Sequence, residues 1–118
     1  MPNLDPESLL PLPTAVFHVL IALAGKDRHG YSIMQDTSAR TGGKVELSPG
    51  TLYSAIRRML EQGLIQELSE NPEPDNTDER RRYYRLTRFG RRAAEAEAAR
   101  LRSMLSQARA TGLVTGRP

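Results

Sequence analysis

Thr51, Ser54, Arg57 and Arg58 are spaced so that a single helix would present all four on one side. Two hydroxyls and two guanidinium groups in that arrangement donate hydrogen bonds to phosphate oxygens and to the acceptor edges of bases. Tyr53 lies on the flank of the same side, with its hydroxyl in reach of a phosphate. Lys44 stands just ahead of the set, and Arg80, Arg81 and Arg82 form a second basic group further along. This is recognition chemistry, not catalysis. The two histidines, His18 and His29, lie in different local settings, and there is no cysteine. No glycine-rich phosphate loop with its lysine follows a strand. The acids between 70 and 79 sit in a proline-containing stretch, which is poor support for paired carboxylates. An enzyme, a metal site and a cofactor are therefore not expected.

The same residues also have plain structural readings. A polar helix face is ordinarily just solvated. The arginines at 80–82 have five acids beside them, between 70 and 79, so salt bridging competes with phosphate contact. His18 lies inside an apolar run and reads as a core or interface histidine. Arg28 and His29 precede a helix whose first amides suit a phosphate, and for His29 a structural role is preferred.

The first set needs a helix with a start and a stop, and residues 47–64 supply both. Ser48 is a good N-cap, and Pro49 suits the first helical position. Gly63 suits the left-handed residue that ends a helix. Leu52, Ala55, Ile56, Met59 and Leu60 fall on the opposite side, which belongs in a core. Upstream, residues 1–12 read as a proline-rich arm with Leu9, Leu10 and Leu12 as anchor points. A first helix runs from Pro13 and Thr14 to about residue 25. Val16, Phe17, Val19, Leu20, Ile21 and Leu23 make it apolar nearly all round, so a partner chain is expected over part of it, at Phe17. After a polar connection at 26–30, a second helix spans 31–41 and stops at Gly42 and Gly43. Residues 44–47 alternate, with Val45 and Leu47 on one side, and read as a brief strand.

Downstream, residues 64–68 read as a strand, 69–79 as a loop and 80–86 as the return strand. Alternation puts Arg82, Tyr84 and Leu86 on one face and Arg81, Tyr83 and Arg85 on the other. Thr87 then caps a last helix that runs to about residue 110. Its Ala94, Ala98, Leu101, Leu105 and Ala108 repeat at heptad spacing and call for a second helix, most simply the same helix of another subunit. Gly112 stops it, and residues 111–118 read as a flexible tail. The expected fold is mainly α with a small β-hairpin. It comprises an arm at 1–12, a winged helix-turn-helix unit at 13–86 and a C-terminal dimerisation helix at 87–110.

With 118 residues and 38% hydrophobic content there is room for one modest core. The net charge of +3 permits nucleic-acid binding without requiring it. No apolar run reaches membrane-spanning length, and no secretion signal opens the chain. A cytoplasmic protein is expected.

Four segments together resemble the PadR family of bacterial transcriptional regulators. They are the apolar first helix with Arg28-His29-Gly30-Tyr31-Ser32-Ile33, then Leu47-Ser48-Pro49-Gly50-Thr51-Leu52-Tyr53, then Gly63-Leu64-Ile65, and Arg81-Arg82-Tyr83-Tyr84-Arg85-Leu86-Thr87 leading to Gly90. The resemblance implies a winged helix homodimer, joined through its C-terminal helix, that represses a promoter by binding a palindromic operator in double-stranded DNA. It also implies that some members respond to small aromatic or drug-like effectors near the dimer interface. This chain has no tryptophan, so a tryptophan-walled pocket cannot form and no effector is identified. The competing expectations are a winged helix used for protein contact and a small-molecule sensor that binds no operator.

Overall fold

The computed structural model describes residues 5–69 and 81–115. A short 3-10 turn, Pro6–Leu9, precedes α1 (Thr14–Gly25), β1 (Arg28–His29), α2 (Gly30–Arg40) and α3 (Pro49–Glu61). Then come β2 (Ile65–Glu67), β3 (Tyr83–Leu86) and α4 (Arg88–Ala110). The helices begin where side chains can satisfy their orphan amides. Ser48 Oγ accepts from the Thr51 N–H at 3.2 Å, and Thr87 Oγ1 accepts from the Gly90 N–H at 3.0 Å. Helix α2 is capped by His29, whose Nδ1 accepts from the Ser32 N–H at 3.1 Å. Helix α3 ends at Gly63, with φ at +75°. The Leu64 N–H reaches Met59 O at 2.9 Å and the Gly63 N–H reaches Leu60 O at 3.2 Å. That bond pair needs the left-handed backbone, which glycine takes without a Cβ penalty.

Helix α1 is the centre of the core and touches α2, α3, α4 and β3. Val16, Val19, Leu20, Ala22 and Leu23 are buried, and they meet Ile33 of α2 and Leu52, Ile56 and Met59 of α3. Phe17 is half-buried against this core. Leu60, expected inside, is instead 37% exposed. It lies in the last turn of α3, where the inner stripe has already been completed by Met59.

Among the described residues three strands form one antiparallel sheet in the order β1-β3-β2: the two wing strands read from the sequence correspond to β2 and β3, and β1 falls where a polar connection is expected. Arg28 and His29 pair with Tyr84 and Tyr83, and Ile65 pairs with Leu86. Because β3 is the central strand, Tyr83 and Tyr84 are both buried, at 2% and 4% exposure, although alternation puts them on opposite faces. Residues 44–47, read as a brief strand, form none, and Val45 N–H bonds to the Thr41 hydroxyl instead. Arg81 and Arg82 precede β3 rather than belonging to it. The expected loop at 69–79 and Arg80 lie outside the described residues, apart from Ser69.

The first half of α4 is part of the same body. Gly90 runs so close to Leu64 O that a Cβ there would collide with backbone. Ala93 and Glu97 are buried. The Leu12 N–H donates to Glu97 Oε2 at 3.0 Å, and Arg100 Nη2 donates to the same oxygen at 3.1 Å. The N-terminal arm is thus tied to α4 by a buried carboxylate. The Arg100 hydrogen bond, with the Leu12 amide, holds that carboxyl below the usual range against the opposing effect of burial. Beyond Arg100 the helix stands clear, with Leu101, Met104 and Leu105 all exposed. Its end is also closed, by Gly112 and by the Leu113 N–H on Ala108 O at 2.9 Å.

Candidate nucleic-acid interface

Helix α3 presents Gly50, Thr51, Ser54, Arg57 and Arg58 to solvent, while Leu52, Ala55, Ile56 and Met59 are buried. The cap fixes where the polar side begins, since Ser48 Oγ also meets Thr51 Oγ1 at 3.0 Å. Thr51, Ser54 and Arg58 line a shallow groove with Pro13 and Ala15 from the start of α1. Lys44 is exposed in the link between α2 and α3.

Tyr53 points the other way along the flank. Its ring lies over Gly30, the first residue of α2, where an added Cβ would come within 2.9 Å of Tyr53 Cζ. A cleft of about 280 Å³ opens there, lined by His29, Gly30, Tyr31, Tyr53, Arg81, Arg82 and Tyr84. Arg81 Nη1 lies 2.9 Å from His29 Nε2, and His29 meets Tyr83 edge-to-face at 5.2 Å. Arg82 Nη1 lies 3.5 Å from Glu67 Oε1 on β2. Burial raises the Tyr84 hydroxyl above its ordinary value, and Glu67 and Tyr53 add to that, so Tyr84 is a neutral donor across the physiological range.

The arginines therefore divide by use. Arg28 is spent inside the fold: its guanidinium reaches Ala22 O at 2.8 Å, Ser32 Oγ at 3.1 Å and Asp36 Oδ1 at 3.1 Å. Arg85 holds Asp27 with both nitrogens, the shorter contact being 2.8 Å. The Asp27 carboxylate raises the Arg85 guanidinium above its ordinary value. Arg57 and Arg58 are exposed on α3. Arg81 and Arg82 stand with Tyr53 around the cleft, so the structure joins residues that are 28 or more positions apart in the chain. Sequence reasoning did not single out Tyr31, 54% exposed, or Tyr84 as part of this surface. The only signal was the tyrosine pair beside the arginines, and alternation assigned one of them to the sheet's far side.

Of the residues expected to join two subunits, Phe17 and Ala94 are half-buried within the protomer. Ala98, Leu101 and Leu105 are exposed, and Ala108 is half-exposed. Among the described residues no group of acids and histidines could hold a metal ion, and no helix is long and apolar enough to cross a membrane.

A family model of PadR-like transcriptional regulators matches residues 19–96, more than half of the chain and spanning α2, α3 and the sheet. The chain belongs to the PadR-like family of transcriptional regulators. Members of this family are regulators rather than enzymes. A PadR family transcription regulator from Clostridium difficile is similar in structure, with a TM-score of 0.69 and 26% identity, covering 84% of this chain and 98% of that one. A transcriptional regulator from Clostridium thermocellum shares the fold at a TM-score of 0.69 and 24% identity, covering 86% of this chain and 90% of that one. An uncharacterised protein of Lysinibacillus sphaericus is 30% identical over 73 residues. That match spans 62% of this chain and 64% of the relative. The winged helix-turn-helix reading of the PadR-like chain stands, with a third strand added to its wing.

Proposed function

We propose that this PadR-like protein is a homodimeric repressor that binds a palindromic operator in double-stranded DNA. The observation that carries the reading is the open face of α3, on which every outward residue from Gly50 to Arg58 is small, hydroxylated, aromatic or basic. Thr51, Ser54 and Arg57 are the base-edge readers, because recognition helices use their N-terminal part in the major groove. Arg58, Tyr53, Lys44 and the arginines at 81 and 82 are positioning contacts to phosphate. Residues 13–86 form the DNA-binding unit and 87–110 carry dimerisation, through Ala98, Leu101, Leu105 and Ala108. The exposed Leu101, Met104 and Leu105 support this, since a stripe of that kind wants another helix. Repression is steric: two copies of α3 occupy successive major grooves about one helical turn apart.

Hydroxyl-radical footprinting on the region upstream of the gene tests this. The expected pattern is two protected patches about one turn apart on one face of the duplex. Uniform cleavage at protein concentrations that saturate the dimer would favour the protein-contact module instead.

A further inference from the structure

The cleft at the start of α2 is lined by two tyrosines, Tyr53, read above as a phosphate contact, and Tyr84, which has no role assigned so far. Tyr84 is 4% exposed and lines the cleft, and among the described residues its hydroxyl makes no hydrogen bond. Tyr53 is held over Gly30 at the mouth, and its hydroxyl makes none either. Both tyrosines line the open cleft, so a bound group can accept from their hydroxyls without breaking a hydrogen bond of the fold. The charged groups of the wall favour an anion. Arg81 and Arg82 bring two guanidinium groups, and the first turn of α2 brings backbone amides and the positive end of its dipole. Among the described residues no carboxylate lines the cleft; Glu67 touches Arg82 only from the β2 side.

We propose that this cleft is a phosphate site in which the Tyr53 and Tyr84 hydroxyls donate to one phosphate, with Arg81 behind them. The phosphate is a backbone phosphodiester of the bound duplex. That source rests on the DNA-binding reading above; the site itself does not. The arrangement makes Tyr84, a strand residue of the sheet, a positioning contact that fixes how far α3 can rotate in the groove. Gly30 is part of the device. A side chain there would push the Tyr53 ring off the start of α2.

The test titrates the full chain and three variants, Tyr84→Phe, Tyr53→Phe and Gly30→Ala, with a mixed-sequence DNA duplex and separately with inorganic phosphate. Thermal midpoints are measured alongside. Because neither hydroxyl has a partner in the fold, both phenylalanine variants keep the parent midpoint. Each weakens duplex binding roughly tenfold. The line of log affinity against log salt shifts down without a change of slope, because a neutral donor is lost. Gly30→Ala weakens binding as Tyr53→Phe does. If the parent binds duplex and Tyr84→Phe binds it equally well, the site is overturned and the DNA reading stands. If the parent ignores duplex but binds inorganic phosphate in a way Tyr84→Phe abolishes, the site stands and its ligand is a free phosphate. If neither probe distinguishes parent from variants, the proposal is overturned.

Discussion

Helix α3 leaves open the side opposite its buried stripe, whereas α4 leaves open, past Arg100, the continuation of the stripe that its first half buries, and the two open surfaces are opposites in chemistry. That of α3 carries hydroxyls and arginines from Thr51 to Arg58; that of α4 carries Leu101, Met104 and Leu105. A polar basic face gains from a polyanion and loses little in water without one. An apolar stripe gains from another apolar surface and is unfavourable in water. One chain thus offers two surfaces suited to two kinds of partner. The first half of α4 is the link between them, since Gly90, Ala93 and Glu97 lock it to the body that carries α3.

The largest expected effect comes from attacking the apolar side. Leu101→Asp places a charge in the proposed seam and weakens self-association by roughly 100-fold, about 3 kcal/mol. Analytical ultracentrifugation reads this, and an unchanged dimer would mean that the α4 stripe is not the interface. Attacking the link comes next. Gly90→Ala forces a methyl against the Leu64 backbone and costs about 3 kcal/mol in urea unfolding. An intact stability would show that α4 can slide on the sheet, and the two faces would then not be rigidly coupled.

Glu97→Gln is a milder break in the same link, costing on the order of 1–2 kcal/mol at neutral pH. Its sign with pH follows from the depressed carboxyl. The stabilisation is fully present above the unfolded value, near about 4.3, and disappears as pH falls through the lower folded value. The parent should therefore lose stability on acidification over that window, and Glu97→Gln should lose less. Equal acid profiles would remove Glu97 as the tie. The smallest change is on the polar face. Arg58→Ala should lower the salt slope of DNA binding by about one unit. Arg102→Ala, on α4, should leave the slope alone, and equal effects of the two would erase the contrast between the helices.

What the sequence reveals of this molecule follows from how local each signal is. Ser48, Pro49, Gly63 and Thr87 act on their own neighbours, so the bounds of α3 and the start of α4 are legible. Strand β1 is not, because Arg28 and His29 are two polar residues with no alternation, and their pairing is set by Tyr83 and Tyr84 more than 50 positions away. The same pairing buries both tyrosines and so brings Tyr84 into the cleft. Residues 44–47 alternate like a strand but have no strand to pair with. Glu97 reads as one more charge on an exposed helix, whereas the arm that buries it lies 85 residues earlier. The outward face of α3 is readable from periodicity alone; the cleft beside it needs three segments brought together.

The most direct test of the central claim is a fluorescence anisotropy titration of the DNA upstream of the gene at increasing salt. Tight binding at low salt is expected, with log affinity falling linearly against log salt by several units of slope. Negligible binding at low salt, unchanged as salt rises, would contradict it.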